Sequence, residues 1–186
     1  MNKENKCSEY VDIYENSEDN KCRYALGKKG ENQLVFFGIN PNTADDKKPD
    51  KTIKRIIEIA KNNEYDSWLM LNLYPLRAKK TNILPNELNE NIKTINENII
   101  KNIFENKKYS VVASWGDSIS VKPYLLKCLI DIFGIIHCEN IKWFYGGLSK
   151  KLKNPYHPLR LNNTVELKPF CIENYIRIIL KKQTGT

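Results

Sequence analysis

Little in this chain suits metal or membrane chemistry. There are only two histidines and three tryptophans in 186 residues, and the five cysteines (Cys7, Cys22, Cys128, Cys138, Cys171) include no C-x-x-C pair. A zinc knuckle or a disulfide framework needs closer, paired ligands, so neither is expected and no metal is assigned. The thiols read as reduced, in a cytoplasmic protein. No window approaches the roughly 18 apolar residues of a membrane-spanning helix. The first 21 residues, MNKENKCSEYVDIYENSEDNK, lack the apolar centre of a secretory signal. The Gly-rich phosphate loops G-x-x-x-x-G-K-[ST] and G-x-G-x-x-G are both missing, which disfavours triphosphate and dinucleotide machinery; no cofactor is expected. The G-x-S-x-G elbow of α/β-hydrolases is missing too. Acidic residues number 22 against 30 basic ones, a net charge of +8 that leans toward polyanionic partners.

What is present is an alternation of apolar runs and helical stripes. Residues 1–21 form a polar segment, an edge strand or loose tail, before a single domain over 22–186. Cys22 to Leu26 suits a short strand turning at Lys29-Gly30 into the next. QLVFFGI (Gln33 to Ile39), SWLMLNL (Ser67 to Leu73), YSVVASW (Tyr109 to Trp115) and IKWFY (Ile141 to Tyr145) read as strands, the first two buried on both faces. Between and after them come helical stripes: Ile53, Ile56, Ile57 and Ala60, with Asp50 as cap; Leu88, Ile92, Ile95, Ile99 and Ile103; Leu125, Leu126, Leu129, Ile130 and Phe133; and Ile172, Ile176, Ile179 and Leu180 within Pro169 to Lys182. Four strand–helix alternations predict a three-layer α/β sandwich around a four-stranded, mostly parallel sheet, with a short antiparallel amino-terminal addition.

Ligands of open parallel sheets bind beyond the carboxyl ends of the strands. The loops there hold Asn40-Pro41-Asn42-Thr43-Ala44-Asp45; Tyr74 and Arg77, with Asn72 at the strand end; Trp115-Gly116-Asp117; and Lys150, Lys151 and Lys153 leading to Tyr156-His157-Pro158-Leu159-Arg160. Such convergence would make a polar site. Each piece also has a plainer reading: Asn40-Pro41 as a turn, Asp45, Asp50 and Asp117 as caps, and the lysine run as a solvated face. His157 precedes a proline in a loop, unlike a core histidine, whereas His137 lies in an apolar run and reads as structural.

Several segments, in order, resemble domain of unknown function 1643. They are Cys22-Arg23-Tyr24, Asn40 to Asp45, Asp50-Lys51-Thr52-Ile53-Lys54-Arg55, Asn72-Leu73-Tyr74-Pro75-Leu76-Arg77, Val112 to Gly116, and Ser149-Lys150 leading to Asn154-Pro155-Tyr156-His157-Pro158-Leu159. More remotely, Gly38-Ile39-Asn40-Pro41-Asn42 and His157-Pro158-Leu159 are similar to the G-I-N-P-G and H-P-S-x-L motifs of the uracil-DNA glycosylase superfamily. Asn42 stands here for the second glycine, and Leu159 directly follows Pro158.

That likeness implies a glycosylase-like hydrolase acting on a nucleobase–sugar bond in DNA or a nucleotide. Asn40 would position the water and His157 would face the departing base. Asp45 is a candidate base, because an amide cannot take the water's proton. Thr43, Asn72, Tyr74, Arg77, Trp115, Asp117 and Tyr156 are candidate substrate contacts. Lys150, Lys151, Lys153, Leu159 and Arg160 would meet nucleic acid, Leu159 or Arg160 filling the gap left by a flipped nucleotide. The alternative is a binding module of the same fold that holds a nucleotide or nucleic acid without catalysis.

Overall fold

A computed structural model describes residues 10–105, 107–137 and 140–184. Cys7 and Cys138 lie outside the described residues; Cys22 and Cys128 are buried free thiols and Cys171 is exposed. One mixed sheet of seven strands organises the chain. In chain order the elements are β1 (Ile13–Asn16), β2 (Arg23–Lys28), β3 (Gln33–Gly38), α1 (Lys51–Asn62), β4 (Ser67–Asn72), α2 (Glu90–Phe104), β5 (Tyr109–Ala113), α3 (Pro123–Ile136), β6 (Ile141–Tyr145), β7 (Lys168–Pro169) and α4 (Ile172–Thr184). The spatial order is β1-β2-β4-β3-β5-β6-β7. The expected parallel strands occupy the middle as β4-β3-β5-β6. They are flanked by antiparallel β1 and β2 on one edge and by β7 on the other, so the sheet is larger and more mixed than four strands.

Alternation along the strands builds the layers, because successive side chains leave a strand on opposite faces. Val35, Phe37, Leu69, Leu71, Val111 and Ala113 face α2, α3 and α4 in one apolar cluster. Leu34, Phe36, Trp68, Met70 and Val112 face Ile53, Ile56, Ile59 and Ala60 of α1 in the other. Asp50 caps α1 as the sequence suggests, its Oδ1 accepting the Thr52 and Ile53 amides at 2.9 Å each.

Three features depart from the sequence reading. β2 does not pair with β3 across Lys29-Gly30; β4 lies between them, hydrogen-bonded to both. A Cβ on Gly27 would lie 2.6 Å from the Trp68 carbonyl, so that glycine permits the close β2–β4 approach. The buried face of α2 is Lys93, Asn96, Ile100 and Phe104, about one position round from the aliphatic stripe, and Ile95 is exposed. The polar members of that face are partly paired there, Asn96 Oδ1 having no partner among the described residues. Lys93 meets Glu97 at 2.6 Å and Asp131 at 2.9 Å, and Asn96 donates to the Asn72 carbonyl at 3.0 Å. Finally, Lys168-Pro169 pairs with β6 as β7, so α4 starts at Ile172 and not at Pro169.

Candidate functional site

The loops after β3, β4, β5 and β6 meet around a cavity of about 340 Å³ at the carboxyl rim of the parallel strands. Asn40, Pro41 and Asn42 come from the first loop, Lys79, Lys80 and Thr81 from the second, Trp115 and Ser118 from the third, and His157 and Leu159 from the fourth. Asp50 and Thr52 at the start of α1 close one side, and Arg23 of β2 adds a buried guanidinium. A larger hollow of about 860 Å³ opens at the other end of the sheet. It lies at the amino ends of the parallel strands and among exposed lysines, and no buried polar group without a partner lines it.

The Asn40 side chain is fixed in direction. Its amide nitrogen donates to the Ala78 carbonyl at 2.9 Å and the Pro41 carbonyl at 3.1 Å, while its oxygen accepts from the Thr81 hydroxyl at 3.1 Å. The oxygen keeps one lone pair, enough to orient a single water. These bonds, with the Ala78 amide on the Pro41 carbonyl, tie the β4 loop to the β3 loop.

His157 is half-buried and lines the same cavity, and its Nδ1 accepts the Leu159 amide at 3.3 Å. The neutral ring therefore carries its proton on Nε2. Burial holds the imidazole below its ordinary value of 6.5, opposed by the charge of Asp50 and reinforced by that of Arg160. The sign follows from linkage: the unfolded chain takes up this proton at higher pH than the folded one. Stability from this group is complete above about pH 6.5 and is lost as pH falls through the folded value. Melting curves from about pH 7.5 down to 5 are expected to fall less steeply for His157→Gln than for the unsubstituted protein; equal slopes would contradict this.

A buried hydrogen-bond chain holds the histidine loop in place. Trp115 Nε1 donates to the Tyr175 hydroxyl at 2.8 Å, which donates to Asn154 Oδ1 at 2.9 Å. Asn154 Nδ2 and the Ser149 hydroxyl donate in turn to Asp117 Oδ1 at 3.0 and 2.7 Å. Gly116, at φ +65°, turns the chain between these partners, and its amide donates to the Pro155 carbonyl at 2.9 Å.

The other candidates divide by position. Trp115 and Leu159 stand on the cavity wall with Asn40 and His157. Asp45 lies outside it: its carboxylate caps a turn, accepting the Lys47 and Lys48 amides at 2.9 and 2.8 Å. Asp50 is the carboxylate that lines the cavity. Tyr74 is fully buried in the core against Tyr124, its hydroxyl accepting the Asn89 amide at 3.3 Å. Arg77 clamps the β3 loop from behind, donating to the carbonyls of Asn42 and Ala44 at 2.6 and 3.0 Å. Asp117 is engaged in the buried chain just described. Thr43 is exposed, Tyr156 sits half-buried on the α1-side core, and Lys150, Lys151, Lys153 and Arg160 are exposed on the last loop. Asn72 is fully buried beside Gly38, and among the described residues neither of its amide atoms has a partner.

In the sequence Arg23 stands only as part of a motif; in the structure it is the least expected group of the cavity. It is 2% exposed, its Nη1 donates to the Ala44 carbonyl at 3.1 Å, and among the described residues its Nε has no hydrogen-bond partner. Arg77 reaches the same carbonyl, so two guanidinium groups converge there. Among the described residues neither pairs with a carboxylate. Burial, and next the charge of Arg77, lower the Arg23 pKa to about 10, which leaves it a cation at neutral pH. The signal available in the sequence was an arginine inside the otherwise apolar RYAL strand.

Fold and cavity together define an α/β protein with a polar cavity assembled from loops at the carboxyl rim of a mixed sheet. The chain belongs to the family described as Protein of unknown function (DUF1643), whose model matches residues 23–159. No curated protein and no solved structure matches the chain. The likeness to uracil-DNA glycosylases rests on the motifs alone. Among the described residues, no group of three His, Cys, Asp or Glu is placed to hold a metal ion, and no helix is long and apolar enough to cross a membrane.

Proposed function

We propose that the chain is a glycosylase-like hydrolase that cleaves the bond between a nucleobase and its sugar in a nucleotide or in DNA. The observation that carries this reading is the presence of Asn40, Asp50 and His157 on the walls of one small cavity. Cleavage of such a bond passes through an oxocarbenium-like state while negative charge grows on the base. In this reading the Nε2–H of His157 donates to the base as it leaves; a donor of this kind supplies a factor of about 10²–10³. Asn40 holds the attacking water, and Asp50, in place of Asp45, takes its proton. Leu159 is 47% exposed at the cavity lip, where an apolar side chain would suit a gap left by an extruded base.

The alternative, a binding module without chemistry, draws support from the same asparagine. Three hydrogen bonds to its own chain account for most of Asn40's capacity, as in a purely structural turn. Incubation with nucleotides and with oligonucleotides bearing uracil, hypoxanthine or hydroxymethylated bases separates the two readings. Base release by the unsubstituted protein that disappears in Asn40→Ala supports the hydrolase. Salt-sensitive binding without release supports the module.

A further inference from the structure

We propose that Arg23, backed by Arg77, forms a phosphate subsite in the wall of the rim cavity, so that the ligand is a nucleoside monophosphate whose phosphate enters the cavity. This rests on the nucleotide reading above and narrows it. A buried cation is stable only when paired or well hydrogen-bonded, because removing charge from water is costly. Among the described residues Arg23 has one carbonyl partner, an unpartnered Nε and a second guanidinium beside it. The charge of Asp50 reaches it without forming an ion pair, so one carboxylate stands against two guanidinium groups. That leaves a net positive hole, and a planar guanidinium is the side chain best matched to phosphate oxygens.

Lys79 and Lys80 also line the cavity and add positive charge to it. The carboxylate facing the cavity is Asp50, whose Oδ1 is occupied by the first amides of α1. In this proposal the phosphate rests on the Arg23 guanidinium, and the sugar and base extend toward His157. A volume of about 340 Å³ is at the small end for ligand pockets and suits one nucleotide better than a longer strand. A dianionic terminal phosphate also offsets two guanidinium charges better than a monoanionic diester does.

Calorimetric titration tests this with four deoxynucleosides, their 5′-monophosphates, inorganic phosphate, and one oligonucleotide with and without a 5′-phosphate. At least one monophosphate is expected to bind about tenfold or more tightly than its nucleoside, with inorganic phosphate competing for the site, an advantage of the size charge-assisted bonds supply. Arg23→Gln should reduce that advantage to about twofold or less. Asp50→Asn, which keeps the helix cap, should tighten phosphate binding severalfold by removing the negative charge that Asp50 brings to the cavity. Equal affinities for nucleosides and monophosphates, or phosphate affinity unchanged in Asp50→Asn, would overturn the subsite even if Arg23→Gln failed to fold. Preference for the 5′-phosphorylated oligonucleotide over the free monophosphate would move the phosphate's source to a nucleic-acid end and overturn the mononucleotide assignment. Base release is read separately: monophosphate preference without release keeps the subsite and removes the hydrolase, whereas equal release from nucleosides and monophosphates does the reverse.

Discussion

Asp50→Asn is expected to lower base release by about 10²–10⁴-fold, the range that a positioned general base supplies, while the melting temperature stays within about 2 °C. The contrast comes from the two tasks that the proposed reaction gives one carboxylate. One oxygen accepts the Thr52 and Ile53 amides and caps α1. The side chain also lines the cavity with His157, whose imidazole its charge reaches. Asparagine caps a helix about as well as aspartate, so the structural task survives. It cannot accept a proton from water, so the chemical one does not. Measuring release and melting on the same preparation checks both parts, and a variant that kept its activity would remove Asp50 from the reaction. Asp45→Asn serves as the comparison and is expected to leave release unchanged, because that carboxylate is spent on its own turn outside the cavity.

Tyr175→Phe is expected to destabilise the fold by about 2–4 kcal/mol, lowering the melting temperature by about 5–15 °C. The lost hydroxyl stands between Trp115 Nε1 and Asn154 Oδ1, both within the interior, so the change strands a donor and an acceptor together. Burial raises the Tyr175 pKa, so the phenol stays protonated and able to donate across the working pH range. The ring itself packs on Trp115 at 5.6 Å and Phe170 at 5.3 Å, and phenylalanine preserves those contacts. Since Asn154 in turn holds Asp117 and the loop before His157, ligand affinity should fall along with stability. Calorimetric melting of the variant decides the matter; a shift under about 2 °C would mean that water replaces the hydroxyl at little cost.

The parallel centre of the sheet could be read from the sequence because its strands are continuous apolar runs, a pattern that burial on both faces imposes. Strand order could not. Lys29-Gly30 looks like a local hairpin, and what separates β2 from β3 is β4, more than thirty residues further along the chain. β7 was not legible because it has two exposed residues, one of them proline. The α2 face was misread for a physical reason: Lys93 and Asn96 are buried by partners on β4, α2 and α3 that no periodicity of apolar residues reports.

The rim loops were visible because ligand sites follow parallel strands, which brought Asn40, Trp115 and His157 forward together. Arg23 escaped that rule, since it enters the cavity from the antiparallel strand β2. Asp50 was recognised as a cap, a role that conceals its second face. Tyr74 and Asp117 occupy the correct loops, but their side chains turn into the core and into a buried hydrogen-bond chain. The order of the chain fixes a loop's place, while packing decides where each side chain points.

Hydrolysis in heavy-oxygen water, followed by mass analysis of the sugar product from a panel of nucleoside monophosphates and base-modified oligonucleotides, tests the reaction most directly. The site described here predicts free base, with one solvent oxygen at the sugar carbon that carried it and none in the phosphate. Absence of free base from every substrate, or label found in the phosphate, would contradict it.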